Sequence, residues 1–243
     1  MQISKSANQQ ISKSANQQIS KWFSKRGISR RGIKNILCRS LYSKWFLIPY
    51  WSPLQRRASI NTDDPVRYGT VDLAIEQIIN DKVPGSLAEC GVFEGSMSKF
   101  IHERIPDKAF FLFDTFQGFD ERDSEGLSDT RFRNTSEQKV LNNIGNTQNI
   151  IIRKGFFPET SKGLEDEDFA FVMIDFDKYK PTLAALEFFY QRTNSGGFIF
   201  VHDYNSPESN WACSRALNEF LSDKTEKPIL IPDSWGTALF RKI

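Results

Sequence analysis

The chain has 243 residues, of which 39% are hydrophobic and 26% charged, a composition typical of a soluble globular protein with one full-sized core. No apolar stretch approaches the roughly 20 residues that a membrane-spanning helix needs, and the polar N-terminal residues lack the apolar segment of a signal peptide. The three cysteines, Cys38, Cys90 and Cys213, fit neither a zinc site nor a disulfide framework, so we expect a cytoplasmic protein.

The net charge of +2 conceals an uneven distribution. Residues 1–62 contain 12 Lys or Arg and no Asp or Glu, whereas residues 63–243 contain 20 basic and 30 acidic residues. The sequence therefore predicts a basic N-terminal part joined to an acidic body. Within the basic part, residues 1–21 carry "QISKSANQ" twice and then "QISK". One Ile per eight residues buries too little apolar surface to offset the entropy of ordering, which predicts disorder over 1–21.

Residues 22–62 form a basic arm that is interleaved with aromatic side chains. One interpretation is packing on the body or on a second subunit, with 40–62 as the contact of a homo-oligomer. Another is peripheral contact with the anionic inner face of a membrane. Pro49 and Pro53 interrupt any continuous helix, which favours packing, and we expect no nucleic-acid partner. The aromatic residues are Trp22, Phe23, Trp45, Phe46, Tyr50 and Trp51.

Residues 63–243 alternate apolar runs with segments of helical periodicity. The helical spacing predicts helices over 70–81, 96–105, 136–145, 180–193 and near 210–222. The apolar runs predict buried strands over 86–92, 109–115, 149–155, 169–177 and 198–204. Two more strands, 228–232 and 237–243, are joined by the turn "DSWG". This alternation predicts an α/β fold, a Rossmann-like doubly wound parallel sheet, in which ligands bind beyond the carboxyl ends of the strands.

The ends of the first two predicted strands suit a nucleoside cofactor. "ECGVFEGS" contains Gly91 and Gly95, which would let a ligand approach the backbone where the next helix begins. Asp114 ends the second strand, 25 residues after Glu89, and is placed to accept hydrogen bonds from ribose hydroxyls. Because the third glycine of a dinucleotide-binding turn is missing, S-adenosylmethionine fits better than NAD.

The ends of the fourth and fifth predicted strands carry a cluster of acidic residues. Asp175, Asp177 and Asp203 would repel one another unless a proton or a cation lay between them. A divalent cation with oxygen ligands, most simply Mg²⁺, resolves this repulsion. His202 is a further candidate ligand, although imidazole suits Zn²⁺ or Fe²⁺ better than Mg²⁺. Lys178 completes this group of candidate site residues.

At these residues the chain resembles the macrocin O-methyltransferase family, S-adenosylmethionine-dependent enzymes that methylate sugar hydroxyls. The resemblance implies a seven-stranded sheet whose last strand runs antiparallel. It also implies cofactor contacts from Glu89, Gly91, Asp114 and the "GFFPET" loop, which contains Phe156. The resemblance is carried by "RYGTVDLAIEQI", "VPGSLAECGVFEGS", "LFDTFQGFDERD", "RKGFFPET", "IDFDKYKPT", "GGFIFVHDYN" and "DSWGTALFRK".

The family pattern further implies a Mg²⁺ held by the D-x-D aspartates, Asp175 and Asp177, and by an acidic pair after the fifth strand. In this sequence that pair is His202 and Asp203, so one expected carboxylate is replaced by an imidazole. Spacing does not distinguish which of Asp175 and Asp177 binds the metal. Either Asp177 or Lys178 would remove the proton from the acceptor hydroxyl.

The sequence thus predicts an O-methyltransferase that acts on a sugar of a polysaccharide or of a glycosylated metabolite. The alternative is a non-catalytic nucleoside-binding or scaffold protein, recruited to a membrane-associated assembly by its basic arm. An NAD-dependent oxidoreductase is disfavoured because Glu89 precedes Gly91 and the third glycine is absent.

Overall fold

The computed structural model describes residues 64–123 and 129–243. The predictions of a disordered repeat over 1–21 and of a basic arm over 22–62, including its membrane and subunit contacts, lie outside the described residues. Within the described ranges, no helix combines the length and the apolar character needed to cross a bilayer.

A seven-stranded sheet forms the centre of the described chain. Five α-helices are interspersed with the strands; only β3 and β4, and β6 and β7, follow each other without an α-helix between them in the described chain. In chain order they are α1 (Pro65–Asn80), β1 (Ser86–Cys90), α2 (Ser96–Arg104), β2 (Phe110–Asp114), α3 (Glu137–Ile144), β3 (Ile150–Lys154), β4 (Phe169–Ile174), α4 (Tyr179–Tyr190), β5 (Thr193–Val201), α5 (Ala212–Phe220), β6 (Ile229–Ile231) and β7 (Thr237–Arg241).

The strand order is β3-β2-β1-β4-β5-β7-β6. The first five strands pair in parallel, whereas β7 pairs antiparallel with both of its neighbours. The prediction of an α/β sheet of seven strands with an antiparallel last strand is therefore confirmed. Strand order reverses between β1 and β4, so the carboxyl ends of these strands lie at the switch point where such sheets bind ligands.

The apolar runs that predicted the strands are the centre of the core. Every residue of β1 and β4 is buried, which explains why these strands lack the alternating pattern of a half-exposed strand. Phenylalanine rings fill the space between the sheet and α4. Phe113, Phe157 and Phe169 each pack edge-on or stacked against Phe189, with ring centroids 4.9 to 5.9 Å apart.

Several element boundaries differ from the sequence predictions; among them, β5 begins at Thr193 rather than at residue 198. Helix α1 begins at Pro65 rather than at residue 70, because Asp64 caps it by accepting a hydrogen bond from the Arg67 amide and Pro65 suits the first turn. Strands β4 and β5 end earlier than predicted, at Ile174 and Val201. The polar residues that follow therefore belong to loops at the edge of the sheet.

Candidate active site

A cavity of about 390 Å³ opens at the carboxyl edge of the sheet. It is lined by residues from the loops that follow all five parallel strands, as the strand-end pattern predicted. Among the sequence-predicted site residues, those lining the cavity are Gly91, Asp114, Phe156, Asp175, Asp177, His202 and Asp203. Glu89, Gly95 and Lys178 are not among its lining residues.

Gly91 brings the loop after β1 against the loop after β4. Its φ is +86°, and a Cβ atom at this position would overlap the backbone oxygen of Asp175. The Gly91 amide donates to the Phe113 carbonyl at 2.8 Å, and the Asp175 amide donates to the Cys90 carbonyl at 2.7 Å. Only glycine fits this left-handed, crowded position, which leaves bare backbone facing the cavity.

Asp114 is held at the cavity wall by backbone amides. Its Oδ2 accepts hydrogen bonds from the amides of Val92 at 2.8 Å and Phe93 at 3.0 Å, and its Oδ1 accepts from the Phe116 amide at 2.6 Å. These bonds orient the carboxylate and tie β2 to the loop after β1. Its Oδ1 retains acceptor capacity for a ligand hydroxyl, because a carboxylate oxygen accepts more than one hydrogen bond.

Glu89 and Gly95 support the loop after β1 from behind. Glu89 is 2% exposed and accepts a 2.5 Å hydrogen bond from the Ser98 hydroxyl. Burial raises the pKa of the Glu89 carboxyl to about 8, although the Ser98 hydrogen bond opposes the shift. Gly95 is the N-cap residue before α2 and has φ +77°, and a Cβ there would lie 2.9 Å from Cγ1 of Val140 on α3.

The loop after β3 supplies an aromatic wall. The Gly155 amide donates to the Asp114 carbonyl at 2.9 Å, so this loop continues the cavity edge from β2. Phe156 lines the cavity, and the guanidinium carbon of Arg122 lies 3.7 Å from its ring centroid. An aromatic side chain next to a ribose-binding acid is suited to contact a nucleobase.

Asp175, His202 and Asp203 form a compact cluster at the ends of β4 and β5. One potential ligand atom from each of them lies within 4.8 Å of those of the other two. His202 Nδ1 is 3.0 Å from Asp175 Oδ1 and 3.5 Å from Asp203 Oδ1. His202 Nε2 is 3.1 Å from the Ser234 carbonyl oxygen, which only accepts, so Nε2 carries a proton.

The electrostatics of the cluster follow from burial and crowding. Burial lowers the pKa of His202, but the Asp175 charge and the hydrogen bonds to Asp175 and Asp203 outweigh it and raise the pKa to about 10. The pKa of Asp203 shifts in the other direction. Burial by itself would raise this pKa, but the hydrogen bonds with His202 and Asp177 lower it to about 2. Without a cation, a proton on Nδ1 therefore bridges the two carboxylates.

The cluster also fits a divalent cation. With the Nε2 proton donated to a backbone carbonyl, Nδ1 of His202 is the atom that faces Asp175 and Asp203, and a metal-bound histidine is oriented in this way. Two carboxylates and one imidazole nitrogen are a donor set for Mn²⁺, Fe²⁺ or Zn²⁺ as well as for Mg²⁺.

Asp177 and Lys178 differ in their surroundings. Asp177 is 7% exposed and adopts a left-handed conformation with φ +58°. Burial raises its pKa well above the usual range, and the hydrogen bond with Asp203 and the charge of Asp203 add to the shift. Lys178 Nζ instead donates to Asp129 Oδ2 at 2.8 Å and lies 4.1 Å from the Phe119 ring centroid.

Many of the cavity residues were not predicted from the sequence, and three groups of them bear on the proposed chemistry. Arg67 of α1 reaches Asp175, with Nη1 3.7 Å from Oδ2. Trp235, in the turn between β6 and β7, is 46% exposed beside the Ser234 carbonyl that binds His202. Aromatic rings from the loops after β1 and β2 pack edge-on; they are Phe93, Phe119 and Phe132. Arg67 and Trp235 lie in "RYGT" and "DSWG", two segments that carry the family resemblance, and this resemblance was the signal from which they could have been predicted.

Known methyltransferases resemble this chain in sequence. The family model for macrocin O-methyltransferase (TylF) matches residues 65–242. Demethyldecarbamoylnovobiocin O-methyltransferase of Streptomyces niveus is 26% identical over 156 residues, 57% of this chain and 60% of that protein. Mycinamicin III 3''-O-methyltransferase of Micromonospora griseorubida is 26% identical over 174 residues, 63% of this chain and 67% of that protein. The matched part thus spans about two thirds or less of these relatives.

Solved structures share the fold. The O-methyltransferase NovP superposes with a TM-score of 0.62 at 23% identity, covering 73% of this chain and 80% of that one. The calicheamicin methyltransferase CalS11 superposes with a TM-score of 0.60 at 19% identity, covering 88% of this chain and 93% of that one. At these identities the likeness concerns the architecture of the chain.

Proposed function

Because this chain belongs to the macrocin O-methyltransferase family, we propose that it transfers the methyl group of S-adenosylmethionine to a sugar hydroxyl of a glycosylated metabolite or a polysaccharide. The observation that carries the proposal is a single cavity that joins two kinds of residue. Gly91, Asp114 and Phe156 line it with groups suited to an adenosine, and the cluster of Asp175, His202 and Asp203 lines it with groups suited to a hydroxyl. Donor and acceptor would therefore meet in one enclosed space.

In this proposal, Asp177 is the base that removes the proton from the acceptor hydroxyl. Burial beside Asp203 raises the pKa of Asp177, which makes it a stronger base than an exposed aspartate. Lys178 is engaged by Asp129 and does not line the cavity, so it is the weaker of the two candidates. A divalent cation bound by Asp175, His202 and Asp203 would lower the pKa of the hydroxyl before this proton transfer.

Methyl transfer then balances without another reactant. The deprotonated oxygen attacks the methyl carbon, a C–O bond forms, and the C–S bond breaks with its electron pair moving to sulfur. Asp177 retains the proton, and S-adenosylhomocysteine leaves as a neutral thioether. The fixed walls on both sides of the cavity support in-line positioning, which contributes a large part of the rate in such reactions.

The proposed acceptor class depends on the cavity walls and on the relatives. Trp235, Phe93 and Phe132 add flat apolar surfaces to a cavity that also contains charged groups. A sugar ring offers apolar C–H faces and polar hydroxyls, and matches such a wall. The Micromonospora relative is a 3''-O-methyltransferase of mycinamicin III. A third relative, from Streptomyces olivaceus and 24% identical over 172 residues, is a 4'-O-methyltransferase whose substrate name includes a rhamnosyl group.

The reaction is tested by methyl transfer from radiolabelled S-adenosylmethionine to a panel of nucleotide-linked and aryl-linked hexoses and deoxyhexoses. We expect Asp177→Asn to lower turnover by about 100-fold or more while calorimetric affinity for S-adenosylhomocysteine stays unchanged. Asp166→Asn, at an exposed position outside the cavity, is the matched control. Cofactor binding without transfer to any acceptor would instead favour the non-catalytic nucleoside-binding alternative.

The cation is tested separately, by the melting temperature of the protein with MgCl₂ or MnCl₂ and no substrate. We expect both salts to raise the melting temperature, since ligands that bind the folded state stabilise it, and Mn²⁺ to act at lower concentration because of the imidazole ligand. Asp203→Asn should abolish the effect. A wild-type protein that is unaffected by either salt would rule out the cation.

A further inference from the structure

Asp123 has a buried carboxylate oxygen without a partner. It ends a 3₁₀ turn, Glu121–Asp123, lines the cavity and is 8% exposed. Among the described residues, its Oδ1 has no hydrogen-bond partner. An unpaired buried acceptor costs free energy, so a partner other than the described side chains is expected for it. The proposed chemistry gives Asp123 no role.

The 3₁₀ turn is fixed between the loop after β3 and the start of α4. The Arg122 guanidinium covers the Phe156 ring and donates to Glu159 Oε1 at 2.9 Å. The Arg122 carbonyl accepts from Lys180 Nζ at 3.1 Å. These contacts hold the turn that Asp123 ends between the Phe156 ring and the start of α4.

The position of Asp123 in the cavity indicates which part of a bound adenosine it would contact. If Asp114 binds the ribose, the base extends along the sheet edge towards the next loop, Gly155–Phe156, since Gly155 is hydrogen-bonded to Asp114. The unpaired Oδ1 of Asp123 is a hydrogen-bond acceptor, so the base must offer it an N–H or O–H donor. Adenine has one such group outside its ribose bond, the 6-amino group.

Building on the proposed function, we infer that the Asp123 carboxylate accepts a hydrogen bond from the 6-amino group of the adenine of S-adenosylmethionine. This bond would make Asp123 the residue that selects the base of the methyl donor. It would also give the unpaired Oδ1 atom of this buried acid a donor. Burial raises the pKa of Asp123 to about 6, an effect increased by Asp120 and opposed by Lys180, Arg122 and Lys178, so a ligand N–H would stabilise the charged form.

The test compares S-adenosylhomocysteine with its analogue that carries hydrogen in place of the 6-amino group, using calorimetric titration of the full chain. We expect the wild type to bind S-adenosylhomocysteine roughly 10- to 100-fold more tightly than the analogue, as for one hydrogen bond to a charged acceptor. In Asp123→Ala both ligands should bind with nearly equal affinity. Asp123→Asn keeps a carbonyl acceptor without the charge and should give an intermediate ratio.

The ratio of the two affinities separates recognition from a structural role, since damage to the fold would weaken both ligands together. Glu208→Gln changes another acidic residue of the cavity wall, whose partner is Arg131, and should leave the ratio unchanged. A wild-type ratio near one, or a ratio that survives in Asp123→Ala, would overturn the inference while leaving the proposed function intact. Failure of the wild type to bind S-adenosylhomocysteine at all would count against the proposed function itself.

Discussion

At the scale of single residues, the candidate site depends on backbone conformations that few side chains adopt. Gly91 has φ +86°, and Asp177 and Asp203 have φ +58° and +57°. Left-handed conformations of residues other than glycine are strained and concentrate at functional sites. Here they turn the chain sharply at the ends of β4 and β5, so that side chains separated by one residue in sequence reach the same cavity.

Alanine substitutions at two glycines with similar φ distinguish two causes of lost stability: steric overlap of the new Cβ, and a left-handed backbone conformation. In Gly91→Ala the new Cβ overlaps the Asp175 carbonyl, and we expect a loss of about 2–4 kcal/mol in the free energy of unfolding. Gly163 has φ +82°, but a Cβ there meets nothing within 4 Å. Gly163→Ala should therefore cost only about 1 kcal/mol, in urea denaturation of both variants. Equal losses would show that crowding at Gly91 is unimportant.

At the scale of elements, apolar runs were enough to predict every strand that the structure describes. The buried strands β1 and β4 are mostly apolar, as a strand covered on both faces must be, and the more exposed β3 and β6 still carry runs of Ile and Leu. Their ends were predicted less well. The predicted strand 169–177 included Asp175 and Asp177, whereas the left-handed backbone of Asp177 is incompatible with a strand. The start of α1 was missed because the cap, Asp64, precedes the periodic region.

Contacts between distant elements were beyond the sequence analysis. The Asp175–His202 cluster could be predicted because consecutive parallel strands end at the same edge. Arg67 and Trp235 could not, because α1 and the turn between β6 and β7 reach the cavity only through the order of strands in the sheet. In particular, β7 lies beside β5, which places Ser234 next to His202.

The turn between β6 and β7 gives a prediction about the acceptor. Its backbone is fixed, since the Trp235 carbonyl accepts from the Asn205 amide at 2.8 Å and the Gly236 carbonyl from the Tyr204 amide at 2.9 Å. With an acceptor identified in the methyl-transfer panel, we expect Trp235→Ala to raise KM for the sugar about 10-fold, with unchanged affinity for S-adenosylhomocysteine. Trp235→Phe should restore most of the loss.

Trp211 offers the control for this experiment. It is similarly exposed, at 51%, has a comparable φ of +51°, and does not line the cavity. Trp211→Ala should leave KM unchanged. An increase of KM in both variants, or in neither, would contradict a stacking role for Trp235.

At the scale of the whole molecule, a buried acid links folding stability to pH. The pKa of Glu89 is about 8 in the folded state and about 4.5 when the chain is unfolded. Between these values the folded state binds the extra proton, so this residue's contribution to stability falls as pH rises. Glu89→Gln preserves the acceptor for Ser98 without an ionisable group. Its unfolding free energy relative to the wild type should increase from pH 5 to pH 8, by up to about 1.4 kcal/mol per pH unit.

The measurement is urea denaturation of both proteins at several pH values. Glu187→Gln, an exposed substitution on α4, should follow the wild type across the range. A constant difference between Glu89→Gln and the wild type would indicate that Glu89 is ionised in the folded protein.

The place of β7 between β5 and β6 also bears on the order of events during synthesis. A ribosome delivers β6 before β7, yet β6 has no neighbour in the sheet until β7 arrives. Until then, β5 exposes an unpaired edge, and His202 lacks the Ser234 carbonyl that orients its ring. The candidate site therefore lacks this contact until β7 has been synthesised, and chains that stop before β7 would be prone to associate through that open edge.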